Sequence, residues 1–245
     1  MKPSRLIAVA AACFIVGLIA KLPAAVAFNW FMPDNIMTSG VSGSIWRGRI
    51  SAVQVSGVNL GPIEWQSKPW ALLTGAFRAD VEMELPGGFA QGDIAIGTSS
   101  IRARSLQGAV SLAPITRFSA IGPSEGNARI SLDDLTIRNG WPTSANGELT
   151  IVDLRYPPVG TAPLGGYELL FRNDDNGDVI ADLTDMQSAP YLLDGLLRLT
   201  ADGGYSLAGD IAAKPGVDVA YSRGLNFLGP ADANGNRRLE FDGTL

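Results

Sequence analysis

The sequence predicts an all-β chain: an elongated, twisted antiparallel sheet or partly open barrel of many short strands, preceded by one amino-terminal transmembrane helix. Three observations predict it. Apolar and polar residues alternate over many short stretches, which is the period of a half-buried strand. Glycine punctuates these stretches in a recurring phrase, as in Gly92-Asp93-Ile94-Ala95-Ile96, Gly126-Asn127-Ala128-Arg129-Ile130, Gly147-Glu148-Leu149-Thr150-Ile151 and Gly195-Leu196-Leu197-Arg198-Leu199. One long apolar run, residues 6–20, follows Lys2 and Arg5 and precedes all of them.

The amino-terminal run has a positive flank on one side only, which holds residues 1–5 in the cytoplasm and exports the rest. Extended to residues 6–30, with Lys21 snorkelling toward the headgroups and Phe28, Trp30 and Phe31 at the outer interface, it is long enough to span a bilayer. A retained anchor is the reading adopted. Ala25-Val26-Ala27 also fits a signal-peptidase site, so cleavage after Ala27 stays open, while Ala12-Cys13 makes a poor lipidation signal because few apolar residues precede the cysteine. Residues 31–39, with Pro33-Asp34-Asn35, form a juxtamembrane linker, and residues 40–245 form the exported β domain.

Within that domain, residues 40–50 are expected as the opening strand, with Val41, Gly43, Ile45 and Arg47 on one face and Ser42, Ser44 and Trp46 on the other. Residues 50–55 alternate again, and turns at Gly57 and Gly61-Pro62 precede Ile63-Glu64-Trp65. Residues 68–75 break the alternation between Pro69 and Gly75 and predict a short helix that packs Trp70 and Leu73 on the sheet. Residues 77–85 carry the strictest alternation: Phe77, Ala79, Val81, Met83 and Leu85 on a buried face, Arg78, Asp80, Glu82 and Glu84 on a wet one. Further strands are expected near Ile94, Ile101 and Val110, then a loop at residues 122–126 that divides the chain into halves.

In the second half, residues 128–137 read as a strand, Asn139-Gly140-Trp141-Pro142 as a turn, and residues 147–151 as the next strand. Pro157, Pro158 and Pro163 exclude a central strand across their segment. Asn176-Gly177 predicts a tight hairpin between residues 167–171 and 179–183, and Asp202-Gly203-Gly204 another between 192–200 and 205–211. A turn at Asn234-Gly235 leads to a last strand at residues 238–241.

Composition narrows the function. The 245 residues include 29 Gly and 15 Pro with 46% hydrophobic residues, a profile of turns between apolar strands and not of disorder. A net charge of -5 with no basic cluster beyond the first residues argues against nucleic acid and leaves protein or lipid as partner. The chain has no histidine, which removes histidine bases and histidine metal ligands, and its one cysteine, Cys13, lies inside the apolar run. Gly122-Pro123-Ser124-Glu125-Gly126 spells a nucleophile elbow, but a strand pattern follows it where a helix is required. Residues 174–178 and 232–236 lack the ligand set of a calcium loop and read as Asx-stabilised turns. Trp46, Trp65, Trp70 and Trp141 read as core residues and not as a stacking platform. No catalytic, cofactor-binding or metal-binding residue is assigned.

The order of these stretches resembles the type II secretion system protein N family of Gram-negative bacteria. The resemblance rests on Leu22-Pro23-Ala24 near the outer end of the anchor, then on Gly40 through Gly48 and the Pro69-Trp70-Ala71-Leu72-Leu73-Thr74-Gly75 stretch. It continues through Gly147-Glu148-Leu149, the pair of glycine-punctuated strands from Asp194-Gly195 to Gly209, and Leu228-Gly229, and closes on Asn234-Gly235-Asn236-Arg237 with Gly243-Thr244-Leu245. Resemblance implies a single-pass inner-membrane component that takes part in moving folded proteins from periplasm to exterior, with other type II secretion subunits as partners, no cofactor and no catalytic residue. An anchored, glycine-bent sheet with an apolar inner face also resembles the AsmA-like lipid-transfer architecture, which would make lipid the partner.

Overall fold

The computed structural model of the chain describes residues 17, 21–31, 36–55, 58–70, 77–85, 87–97, 99–116, 123–157 and 162–244. Its first element is the helix α1 (Ala24–Phe31), entered through Pro23, which bridges Ser44, and through a bond from the Ile45 N–H to the Leu22 carbonyl. Among the described residues no helix is long and apolar enough to cross a membrane. The expected run 6–20 lies outside them except for Gly17.

Sixteen strands follow among the described residues: β1 (Ile36–Ser39), β2 (Ser42–Gly43), β3 (Arg47–Ile50), β4 (Ala52–Val55), β5 (Val58–Leu60), β6 (Ile63–Ser67), β7 (Phe77–Leu85) and β8 (Gly88–Ile96). Then come β9 (Ser100–Ser111), β10 (Glu125–Arg138), β11 (Trp141–Arg155), β12 (Gly165–Asn173), β13 (Val179–Asp185), β14 (Tyr191–Leu199), β15 (Gly204–Ala213) and β16 (Arg237–Thr244). Thirteen of them form one antiparallel sheet in the order β16-β15-β14-β13-β12-β11-β10-β9-β8-β7-β6-β3-β2, and β1, β4 and β5 form a small second sheet. The large sheet ends at β2 and β16, so it stays open and does not close into a barrel. Short helices α2 (Leu112–Thr116) and α3 (Val219–Gly224) sit in its connections. Asp218 caps α3 by accepting the Ala220 N–H at 2.7 Å.

Several expectations are corrected. Residues 40–50 are not one strand but a hairpin, β2 to β3. Gly43 turns with φ of 87°, a Cβ there would meet the Arg47 carbonyl at 2.4 Å, and the Ser44 hydroxyl accepts the Trp46 and Arg47 N–H groups. Residues 36–39, inside the stretch read as a linker, form β1 and pair with β4. Pro69 and Trp70 form a 3-10 turn and Trp70 stands 82% exposed instead of packing on the sheet, while residues 71–76, which hold the rest of the expected helix and Leu73, lie outside the described residues. The segment at 122–126 does not split the chain, because β10 pairs β9 on one side and β11 on the other.

The two strands beside that junction are also longer than the short strands expected, at 14 and 15 residues. The phrase at Gly147, read as the start of a strand, lies instead inside a continuous strand. Gly147 sits mid-β11 with φ of 128°, where a Cβ would stand 2.3 Å from the Ser131 carbonyl, so it lets β10 and β11 approach without ending either. Pro142 is accommodated because it stands at a bulge, where the register with β10 shifts between Thr136 and Ile137, and lies beyond the residues that pair with β12. The hairpins at 173–179 and 199–204 form as expected, the first with the Asp174 carboxylate accepting the Asn176 and Asp178 N–H groups at 2.9 Å.

Candidate functional site

Residues directly opposite one another in an antiparallel pair share a face, so the register sorts the sheet into two surfaces. Ile50, Ile63, Met83, Ala90, Gly108 and Ile130 oppose one another in turn from β3 to β10. Leu149, Leu169, Leu183, Gly195, Gly209 and Leu239 continue the same row from β11 to β16. This row crosses twelve strands, about 50 Å at the ordinary strand spacing, without a polar side chain. A second row runs beside it: Leu132, Gly147, Phe171, Ala181, Leu197, Leu207 and Phe241.

The opposite surface is polar. Arg129, Thr150, Glu168, Thr184, Asp194, Asp210 and Arg238 form one cross-strand row on it. Several of its charges are paired: Arg172 with Asp182 in a two-toothed contact, Lys68 with Asp80 at 2.8 Å and Asp93 at 2.6 Å, and Arg49 with Glu64 at 2.6 Å. The Asp80 and Asp93 carboxylates raise the Lys68 ammonium above its ordinary range. Exposed pairs of this kind keep the face solvated and contribute little to stability.

Among the described residues the apolar face is covered only in part. At its amino-terminal end β4 and β5 lay Val53 and Leu60 over Ile50, Ile63 and Trp65, and α1 adds Ala24. The Trp65 indole N–H and the Ser67 hydroxyl both donate to the Ile45 carbonyl, at 3.2 and 2.7 Å, which ties the β2–β3 turn to that core. From β10 onward the described residues form no second sheet. Leu169, Leu183, Leu197 and Leu207 on the apolar face are nonetheless half-buried, whereas Leu170 and Leu192 on the other face stand 49% and 47% exposed. The sheet therefore curls toward its apolar side. The Trp141 indole N–H, at the start of β11, reaches the Thr200 carbonyl beyond β14 at 2.8 Å, past the 173–179 turn that joins β12 to β13, which draws this end of β11 toward β14.

One end of this trough is closed by a polar clasp. Tyr191 packs edge-on against Tyr221 of α3 with ring centroids 5.7 Å apart and donates its hydroxyl to the Tyr221 carbonyl. Beside it Asp185 accepts from Lys214 at 2.7 Å and from the Leu193 N–H at 2.8 Å. Burial drives the Asp185 carboxyl upward, but these donors reverse the effect and hold it below the usual carboxylate range. Burial pushes the neighbouring Tyr167 hydroxyl far up, so it stays protonated.

The other sequence candidates fall outside any catalytic arrangement. Ser124 is buried, its N–H donates to the Thr116 hydroxyl at 2.9 Å, and β10 begins at the next residue, so the elbow spelling sits in a strand-entry loop. Asp174 and Asp178 are engaged by Arg198, at 2.5 and 2.9 Å. Asp232 caps its own turn by accepting from Asn234 and Asn236 at 2.8 Å. Among the described residues no group of three His, Cys, Asp or Glu side chains is placed to hold a metal. A cavity of about 540 Å³ lies at the sheet end between Ser111, Glu125, Asp153, Arg155 and Ser188, a mixed polar lining away from the apolar rows. Of the tryptophans, Trp65 is a core residue, Trp46 and Trp141 are half-buried and Trp70 is exposed. What sequence reading missed is the free edge of β16 and the unbroken rows. Alternation assigns a face to each strand, but the rows exist only once the register is known.

No solved structure matches the chain. It is similar to the type II secretion system protein N of Aeromonas hydrophila, 27% identical over 251 residues that cover 96% of this chain and 97% of that protein. It is similar also to the type II secretion system protein N of Vibrio cholerae serotype O1, 32% identical over 65 residues that cover 26% of each. Residues 34–240, from the β1 approach to the middle of β16, match the family described as type II secretion system (T2SS), protein N, and the chain belongs to that family.

Proposed function

We propose that this chain is a non-enzymatic, inner-membrane accessory subunit of the type II secretion system. Residues 6–30 anchor it, residues 1–5 stay in the cytoplasm, and residues 40–245 stand in the periplasm as a platform for other secretion subunits. The observation that carries the reading is the open thirteen-strand sheet with one solvated, charge-paired face, an extended surface suited to contact and not to chemistry. The positive flank at Lys2 and Arg5 supports the orientation, and an anchor would raise the local concentration of the platform beside inner-membrane partners. Protease treatment of spheroplasts, followed by determination of the mature amino terminus, tests it. Digestion from outside with an uncleaved terminus in the membrane fraction is expected; a soluble product beginning at Phe28, or protection from external protease, would overturn it. Photoreactive residues on the wet face of β7, at Asp80 and Glu82, should then capture other secretion subunits in cells.

The apolar rows from β10 to β16, which no second sheet covers among the described residues, favour a second reading, in which the trough holds lipid acyl chains. Purification in mild detergent and mass spectrometry of bound lipid separates the two. A lipid trough retains acyl chains in fixed stoichiometry, and Leu197→Asp or Leu207→Asp should lose them; a bare platform retains none.

A further inference from the structure

The two edges of the large sheet are unlike. β2 is two residues long and contains Gly43, too short to seat a strand. β16 is eight residues long, pairs with β15 in unbroken register, and contains no proline and no bulge. Proteins blunt an edge by such interruptions, because a long regular edge offers its free N–H and C=O groups to another chain. Arg238, Glu240, Phe241, Asp242 and Thr244 are all exposed. Leu239 and Phe241 end the two apolar rows, and Phe241 stands 49% exposed where those rows stop.

We propose that β16 is a homotypic pairing edge: two copies of this chain join antiparallel through it, about a two-fold axis normal to the sheet, with Leu239 opposite Leu239. The pattern of charge fixes both the occupant and the register. Such an axis keeps the two apolar faces on one side, so each residue meets one of its own face and only even registers are allowed. Centred on Leu239, the pairing sets Arg238 of each copy against Glu240 of the other, two opposite-charge pairs and no like-charge pair. Centred on Arg238 it opposes arginine with arginine. Centred on Glu240 it sets Arg238 against Asp242 but opposes glutamate with glutamate at the axis, and centred on Phe241 it sets Glu240 against Asp242 twice. Directly opposed like charges destabilise a strand pair. The strand is therefore complementary to itself without charge conflict in one register, which sets Leu239 against Leu239 at the axis and Phe241 of each copy against Arg237 of the other. This inference rests on β16 alone and does not depend on the membrane reading.

The test uses the full chain in mild detergent, with mass measured by light scattering across a dilution series. Wild type should dimerise. Arg238→Glu alone and Glu240→Arg alone should each raise the dissociation constant about tenfold or more, since two attractive pairs become repulsive. The double variant should return to within about threefold of wild type. An equimolar mixture of the two single variants should form a heterodimer. There the carboxylate introduced by Arg238→Glu faces the guanidinium introduced by Glu240→Arg, and the unchanged Glu240 of the first chain still faces the unchanged Arg238 of the second. Melting of each variant by circular dichroism guards against misfolding: Glu240→Arg should melt close to wild type, and Arg238→Glu, which sets a carboxylate opposite Asp210 of β15, should melt slightly lower but in one cooperative step. A wild-type chain that stays monomeric at every concentration, dimers indifferent to the charge changes, or a mixture that fails to associate would each overturn the pairing.

Discussion

At the amino-terminal end of the sheet, Ile50 and Ala79 are each 2% exposed beneath Val53, Leu60 and Ala24, while at the carboxy-terminal end the same apolar face runs through Leu183 and Leu239 with no described sheet above it. Alternation is equally regular in both. The difference comes from one departure of the chain: at Ser51 it leaves β3, enters β4, and folds back through β5, and that excursion joins β1 to make the only second layer among the described strands. Burying one face of a sheet needs a partner layer, and curvature alone gives partial shelter. Curl takes the place of the missing layer from β10 onward, which leaves side chains half-buried and an apolar surface fit for a further occupant.

Truncation should expose this contrast most strongly. Trp65→Ala removes a nearly buried indole from the two-layer end together with its bond to the Ile45 carbonyl, and should cost about 3–5 kcal/mol. Leu207→Ala at the one-layer end should cost only about 1–2 kcal/mol, because a half-exposed side chain loses less transfer energy and leaves no closed cavity. Chemical unfolding of both variants compares them directly, and equal losses would show that the carboxy-terminal half is covered as well as the amino-terminal half.

The clasp at Asp185 is the next largest effect. Asp185→Asn leaves the Lys214 ammonium with the Met186 carbonyl as its remaining partner, and should cost about 1–3 kcal/mol at neutral pH. Because the folded state depresses this carboxyl, its contribution is full above the unfolded titration range and is lost as pH falls through the lower, folded value. Melting temperature against pH should therefore drop below about pH 4 in the wild type and be flatter there in Asp185→Asn. Identical slopes would mean that Asp185 does not hold the Lys214 ammonium and the Leu193 N–H in the folded state.

Curvature itself is read by Trp141→Phe, which keeps an aromatic ring but removes the N–H that reaches the Thr200 carbonyl, and should cost about 1 kcal/mol. Hydrogen exchange at the 199–204 turn should quicken in that variant, whereas exchange in β6 and β7 should not change.

Much of the sheet was legible in the residues. Asn176-Gly177 and Asp202-Gly203 declare their hairpins, and Phe77 to Leu85 sorts its faces as observed, with Ala79 buried and Asp80, Glu82 and Glu84 exposed. Illegible were the places where a period of two is true but not enough. Residues 40–50 keep the alternation through a hairpin because Ser44 and Gly43 satisfy the turn locally. Residues 68–70 show a proline and an indole that suit either a packed helix or a solvent-facing turn, and nothing local decides between them. The free edge at β16 was hidden for a deeper reason: an edge is defined by which strand is absent beside it, a property of the whole sheet order.

The smallest effect tests the solvated face. Glu82 is exposed on β7 and lies opposite Glu64 of β6, with Gln91 of β8 on its other side. Glu64 is already engaged by Arg49 at 2.6 Å, so the two carboxylates are partly relieved but still share one side of the sheet. Glu82→Lys exchanges a like-charge neighbour for an opposite one at an exposed position, where screening keeps such pairs weak. The expected change is a gain of no more than about 0.5 kcal/mol, shrinking as salt is added. Val81→Asp, one residue away on the covered face, should instead destabilise by about 2–4 kcal/mol, since Val81 packs against the Trp65 core and a carboxylate there has no partner. If the neighbouring substitutions had similar effects, the two faces of β7 would not differ in cover.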